Sequence, residues 1–370
     1  MTRPRKDRGD EAALPADRQP TSSNRRTSSS HSDESCLVIG GCGFLGRHLV
    51  EELKERGWHV RVFDIVQSFE DDKVEFHVGD LCDKALLVHA MHGCSVVFHC
   101  ASPSPASNNE ELFRKVNVEG TISVIAACEA AQVSRLVLTS SASVVYEGKD
   151  ILGDDEDTPY AVHPIDAYTA TKIHQEQLIL RANMYNYGRL LTIAVRPHGI
   201  FGPRDPNLVP VLINAAKAGK MKYIVGDGHN VVDFTYVKNV VHGLVLAAEK
   251  LRENPSLGGH AFHITNDEPI LFWEFMSRIL NGLGYESPKL CIPRWIVYFI
   301  ATILSFFSRL ISPFVSWQPT FTPMRVALIS THHTYSCEKA KTLLGYQPVY
   351  TLDQGIKLTL DHFSYLKKLL

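Results

Sequence analysis

CLVIGGCGFLG, residues 36–46, is a short apolar run ending in a glycine-rich turn. Residues 47–56 continue with apolar side chains at helical spacing until Gly57 stops them, so the stretch reads as strand, tight turn and helix. Working outward, HVRVFD (59–64), VEFHVGD (74–80), SVVFHCAS (95–102), RLVLTSS (135–141), LLTIAVRP (190–197) and AFHIT (261–265) have strand character, with helical stretches between several of them. Strands alternating with helices predict an α/β fold, a doubly wound parallel sheet of the Rossmann type. Residues 36–202 would form this core, joined by the strand near 261–265. Residues 203–345 lack the regular alternation and predict a smaller, mainly substrate-binding lobe, followed by a terminal segment 346–370.

Gly40, Gly43 and Gly46 stand three apart at the turn. Without Cβ atoms the backbone can close tightly and approach a pyrophosphate at the start of the next helix. Asp64 ends the next strand 18 residues after Gly46, where a carboxylate accepts hydrogen bonds from an adenosine ribose and repels a 2′-phosphate. NAD is therefore expected rather than NADP. The bland alternative is a structural turn beside a solvated aspartate.

A tyrosine four residues before a lysine places a phenol and an ammonium one turn apart, where the cation lowers the phenol's pKa toward that of a general base. The chain holds three such pairs. Tyr285/Lys289 has Pro288 inside its turn, and Tyr335/Lys339 lies beyond the nucleotide-binding half. Tyr168/Lys172 lies on a stretch of helical spacing (165–180), 27 residues after Ser141 at the end of a strand, and it alone can face the sheet's carboxyl edge.

The chain has 370 residues, with 38 basic against 40 acidic, so no basic excess exists to neutralise a nucleic-acid backbone. The eight cysteines form neither a CxxC pair nor a zinc-spaced cluster; no metal is expected, and they read as reduced core thiols. Residues 1–35 mix charges with serine and threonine and have no apolar core, which predicts a disordered tail rather than a signal peptide. From Trp295 to Ser308 there are 14 uncharged residues rich in Ile, Leu, Phe and Tyr. Crossing the hydrocarbon takes ~20 residues, so residues 295–315 read first as a membrane-associating segment lying in one leaflet; a true span and a buried core helix are the alternatives.

GGCGFLG, Asp64, the Asp80-Leu81 step, Asn117 in NVEGT, TSSASVVYEG, YTATK and RPHGIFGP occur in the order and spacing of the extended short-chain dehydrogenase/reductase superfamily. Within it the chain resembles the 3β-hydroxysteroid dehydrogenase branch. RPHGIFGPRDP (196–206), GHNVVDFTYVKNVVHG (228–243), HITNDEPI (263–270) and QPTFTPMRVAL (318–328) are similar to those of its members that act on 4α-carboxysterols, so the likeness covers nearly everything beyond residue 35. It implies NAD-dependent oxidation of the 3β-hydroxyl to a ketone, with loss of the 4α-carboxylate as CO2, in cholesterol biosynthesis.

The resemblance also implies roles. Tyr168 would be the catalytic tyrosine, Lys172 the ribose-holding lysine and Ser141 the hydroxyl on the reacting oxygen, with Ser140 and Ser143 as neighbours that could take its place. Asn117 would belong to the proton relay. Gly40, Gly43, Phe44, Leu45, Gly46, Asp64, Asp80, Leu81, His99, Ala101, Ser102 and Pro197 would line the cofactor. His198 and Arg204 are the candidates for the substrate carboxylate.

Val232 stands where sugar-nucleotide relatives carry an arginine before the Asp-Phe/Tyr step, which argues against an epimerase or dehydratase. Oxidation without decarboxylation and a non-catalytic NAD-binding membrane scaffold are the remaining alternatives, the latter having no need for Ser141, Tyr168 and Lys172 together. The ending Lys367-Lys368-Leu369-Leu370 resembles a dilysine retrieval signal. The expected setting is the cytosolic face of the endoplasmic reticulum membrane, or a lipid droplet. The expected partners are a sterol, that membrane and a second copy of the chain in a homodimer; nucleic acid is not among them.

Overall fold

The computed structural model describes residues 34–107, 109–185, 189–311 and 322–368. The tail through Asp33, Trp317 with its neighbours in 312–321, and Leu369-Leu370 lie outside the described residues. All seven expected strands form one parallel sheet: β1 (Ser35–Ile39), β2 (His59–Asp64), β3 (Val74–Val78), β4 (Val96–His99), β5 (Arg135–Thr139), β6 (Leu191–Pro197) and β7 (Ala261–Ile264). Their spatial order is β7-β6-β5-β4-β1-β2-β3. Alternation along β1 shows why the sheet is covered twice. Cys36 and Val38 enter one core with Leu49, Val50 and Val240, while Leu37 and Ile39 enter the other with Leu87, Val124 and Ile179. Helices Phe44–Glu55 and Val237–Glu253 supply the first face; Lys84–Met91, Thr121–Ala130 and Ala167–Tyr185 supply the second.

β4 and β5 stop earlier than the sequence suggests, because residues 100–102 and 140–141 leave the sheet at its carboxyl edge as loops. Past β4 the chain enters Glu110–Phe113, then a π-helical stretch Arg114–Gly120, then Thr121–Ala130. The wide turn buries Asn117 completely, a placement that π-bulges provide at functional sites.

Beyond the main sheet lies a small one, ordered Ile270–Leu271, Val231–Val232, His333–Tyr335 and Ile151–Asp154. Its last strand comes from within residues 36–202, and helix Val237–Glu253, from within 203–345, packs on the main sheet. The two layers are therefore interwoven along the chain, and their boundary is not a single point in sequence. The two competing Tyr/Lys pairs behave as structural residues. Tyr335 sits on a strand, and Tyr285 donates to the Leu366 carbonyl at 3.1 Å.

Helix Arg294–Ile311 carries its large side chains outward: Trp295 is 72% exposed, Phe299 62% and Phe306 60%, while Ala301 on the opposite side is fully buried beside Trp273 and Val326. The helix is 18 residues long, about 27 Å. No helix among the described residues is long and apolar enough to cross a membrane. The cysteines are free, but only some are core thiols. Cys36, Cys94, Cys128 and Cys337 are buried, whereas Cys82, in the turn after β3, and Cys291, on a short edge strand, are exposed.

Candidate functional site

At the carboxyl edge of β1 the glycine turn meets two steric demands. Gly40 adopts φ +79°, and a Cβ there would lie 2.6 Å from the Ala101 backbone nitrogen. A Cβ on Gly46 would overlap the Gly40 carbonyl oxygen. Helix Phe44–Glu55 starts at Gly43 with no side chain capping it, which leaves the amides of Phe44, Leu45 and Gly46 for a ligand. Asp64, at the end of β2, accepts from the Cys42 amide at 3.0 Å and the Ile65 amide at 2.8 Å, so its carboxylate is fixed beside that turn. An uncapped helix start for a pyrophosphate and a tethered carboxylate for a ribose diol fit an adenine dinucleotide. Leu81 is buried against Gly120. Asp80 pairs with Lys115 at 2.6 Å, which holds its carboxyl below the usual carboxylate range.

Helix Ala167–Tyr185 lifts Tyr168 toward the loop after β4. Its ring meets Phe113 edge-on at 5.6 Å; burial pushes the phenol up to about 12, against the opposing effect of the neighbouring Ser102 hydroxyl. Ser102 donates to Asn117 Oδ1 at 3.1 Å, Asn117 Nδ2 donates to Thr171 Oγ1 at 3.1 Å, and Thr171 donates to the Tyr168 carbonyl at 2.9 Å. Asn117 thus ties the β4 loop to the tyrosine's own helical turn. Ser141, half-buried, pairs with the Ser143 hydroxyl at 2.8 Å, while the Ser140 hydroxyl is buried without a partner among the described residues.

Lys172 is buried and donates to the Thr139 carbonyl at 2.8 Å and to Gln175 Oε1 at 2.6 Å. Gln175 then donates to Thr121 at 3.0 Å and lies 3.2 Å from His99 Nε2. Burial, with the charge of Lys172, pushes His99 down to about 3, so that ring is neutral. Behind them the guanidinium of Arg196 grips Glu176 at 2.6 Å, both fully buried, and Tyr160 donates to the same carboxylate at 2.8 Å. Thr171, Gln175 and Glu176 were not expected from sequence. Yet with Tyr168 and Lys172 they recur every three or four residues, a polar stripe on a buried helix face.

The two carboxylate candidates part company. Arg204, at φ +69°, forms a bidentate pair with Glu51 at 2.8 and 2.7 Å and also meets His48 at 3.0 Å. Its fork is filled by the glycine-turn helix. His198 follows Pro197 at the carboxyl edge of β6, with Nδ1 held 2.7 Å from the Asp233 carbonyl.

Fold and site together define a dinucleotide-binding dehydrogenase of the Rossmann kind. The chain belongs to the 3-beta hydroxysteroid dehydrogenase/isomerase family, whose model matches residues 37–294. It is 58% identical over 335 residues to sterol-4-alpha-carboxylate 3-dehydrogenase, decarboxylating, of Mus musculus, covering 90% of this chain and 92% of that one. The Homo sapiens protein of the same name is 56% identical, with 90% and 89% covered. Among solved structures, MoeE5 in complex with UDP-glucuronic acid and NAD superimposes with a TM-score of 0.68 at 25% identity, covering 90% of this chain and 99% of that one.

Proposed function

We propose that the protein oxidises the 3β-hydroxyl of 4α-carboxysterols to the 3-ketone, using NAD, with loss of the 4α-carboxylate as CO2, as a step of sterol and, in animals, cholesterol biosynthesis. The observation that carries this reading is the 56–58% identity to decarboxylating sterol-4-alpha-carboxylate 3-dehydrogenases across 90% of the chain, in a structure that also presents the glycine cradle and Tyr168. NAD, when bound, accepts the hydride from C3 and brings a positive ring that favours ionisation of a nearby phenol. Tyr168 takes the hydroxyl proton, Ser141 orients the reacting oxygen, and Lys172 holds the ribose. Ser102, whose hydroxyl donates to Asn117 in this structure, stands beside the phenol and opposes the rise that burial imposes on it; once turned to donate to the phenolate it would favour the ionised form. A β-keto acid loses CO2 readily: the electron pair of the broken C4–carboxylate bond passes into the enolate of the 3-ketone, which takes up a proton at C4, so no second cofactor is required.

We further propose that helix Arg294–Ile311 lies in one leaflet of a membrane. A row of Trp295, Tyr298, Phe299, Phe306 and Phe307 turned outward is the reverse of a soluble helix, and the headgroup boundary suits such side chains. The endoplasmic reticulum membrane and lipid droplets are the proposed location, and a homodimer the proposed assembly. The test is NAD+ reduction measured side by side with a 4α-carboxysterol, a 3β-hydroxysterol lacking the acid and a UDP-sugar, with the sterol product weighed by mass spectrometry. Reduction with only the first, and a product lighter by CO2, is the expected result. Reduction driven by the UDP-sugar would overturn it.

A further inference from the structure

His198 combines a fixed tautomer with an open ring nitrogen. The Asp233 carbonyl, 2.7 Å from Nδ1, can only accept, so Nδ1 carries the hydrogen. In the neutral ring Nε2 is then a bare acceptor with no partner among the described residues, and the side chain is buried only in part. The ring is wedged between His333, with centroids 5.6 Å apart, and Tyr335, at 5.1 Å. His333 in turn meets Tyr146 edge-on, with centroids 4.4 Å apart, in the loop that carries Ser141. The amide of Ser140 bonds the Val195 carbonyl at 2.7 Å, so the ends of β5 and β6, and with them Ser141 and His198, lie side by side.

Of the cations near this edge, Arg294 on the outer helix acts on His333 and Tyr146 from behind the ring, and the other three are committed. Arg204 is paired with Glu51, Arg196 with Glu176, and Lys172 is held by Thr139 and Gln175. We propose that His198 recognises the 4α-carboxylate of the sterol and takes up one proton at Nε2 as the carboxylate binds. This rests on the sterol-acid reading above and adds to it a residue and a proton.

The groups facing the ring agree with proton uptake on binding. From strand His333–Tyr335 come an imidazole and a phenol, both uncharged, since burial depresses His333 and raises Tyr335. From β7 comes His263, pushed down to about 3 by burial and by Arg196. Asp233 offers its carbonyl, its carboxylate Oδ2 being taken by the Tyr335 amide at 2.8 Å. Tyr146 stands behind His333, and Arg294 on the outer helix is felt by both. Burial keeps the free His198 ring below the usual imidazole range, so the proton arrives with the anion.

The test uses the full chain in mixed detergent micelles. With the NADH complex, which cannot turn over the alcohol, the heat of 4α-carboxysterol binding is measured at pH 8 in phosphate and in Tris. A difference corresponding to about one proton taken up, absent with a 3β-hydroxysterol lacking the acid, is expected. In steady state the KM for the carboxysterol should rise toward about tenfold per pH unit above neutrality, while the dissociation constant of the plain sterol from the NADH complex stays flat. His198→Gln, which can donate but not titrate, should lose both effects. Buffer-independent heat in the unaltered protein, a retained pH dependence in His198→Gln, or loss of the effects in Arg294→Ala instead would overturn the proposal. If the carboxysterol is oxidised in any of these cases, the function stands and only the role of His198 falls; if it is not oxidised at all, the sterol-acid reading itself falls.

Discussion

Lys172 Nζ donates to Gln175 Oε1 at 2.6 Å, less than a turn further along the same helix. The sequence motif predicts an ammonium that pulls down the phenol of Tyr168. The structure directs two of the lysine's three N–H donors to Gln175 and Thr139, which leaves one for a ribose hydroxyl, and its positive charge depresses His99 instead. Tyr168 stays at about 12, held there by burial, with Ser102 the group that opposes the rise. Lys172 is itself pushed down to about 8 because burial penalises its charge more than Glu176, already matched by Arg196, restores it.

Tyr168→Phe removes the proton acceptor and little else. Turnover should fall about a hundredfold or more while the dissociation constant for NAD stays within about twofold. Stopped-flow hydride transfer and fluorescence titration of the cofactor check the two halves separately, and substantial residual turnover would remove Tyr168 from the role of base.

The position of Lys172 sets a pH window. Its folded pKa, about 8, lies below the ordinary 10.5, so the ammonium is present below pH 8 and lost as pH rises through it. NAD binding that relies on this cation should weaken above pH 8. The unfolded chain binds the extra proton between about 8 and 10.5, so the same group makes the fold more stable, not less, as pH climbs through that window. Lys172→Ala should bind NAD weakly at every pH, and an affinity that ignores pH in the unaltered protein would contradict the ribose-holding role.

Much of this was readable beforehand, and the reason differs from place to place. The central strands of the main sheet carry unbroken apolar stretches (36–39, 96–98 and 136–138) because both their faces are covered, and the glycine turn declares itself because no other residue clears the backbone of Ala101. Strands Val231–Val232 and Ile270–Leu271 are two residues long, too short for any periodicity to register. Ile151–Asp154 pairs with His333–Tyr335 across some 180 residues of chain, and nothing local announces that partner. Arg204 and Glu51 are separated by 153 residues, so a motif reading could only leave the arginine available for substrate.

The pair Arg196–Glu176 makes a stability prediction. Both side chains are fully buried, so Glu176→Gln or Arg196→Met leaves one charge without its partner and should destabilise the fold by about 3–5 kcal/mol. Replacing both with apolar residues of similar volume should cost less than either single change, in part because neither charge is then stranded. Urea unfolding of the three variants gives the comparison; equal small effects would mean that the pair is hydrated.

Cofactor choice is predicted to rest on Asp64. Asp64→Ser removes the carboxylate that the Cys42 and Ile65 amides hold in place, so NAD should bind more weakly and the discrimination against NADP should narrow. Measured kcat/KM ratios for the two cofactors decide it, and equal use of both by the unaltered protein would show that the carboxylate does not face the ribose.

The outward face of helix Arg294–Ile311 predicts where the protein is found. Trp295, Phe299, Phe306 and Phe307 are each more than half exposed, while the buried contacts of the helix run through Ala301 and Val297 against Trp273 and Val326. Replacing Trp295, Phe299 and Phe306 with serine therefore removes apolar surface from the outside without touching the side that packs. The fold should survive, and the substitution should even relieve an exposed apolar patch in water. Partition into vesicles should fall steeply, because each aromatic group withdrawn from the interface removes part of the burial that holds the helix there. A helix of 18 residues lying in one leaflet also permits transfer to the monolayer of a lipid droplet, where a spanning helix would leave its far end in oil. Flotation of the full chain and the triple variant on sucrose gradients is the measurement. An unaltered protein that stays with the soluble fraction would assign the aromatic face to contact with another protein surface rather than to lipid.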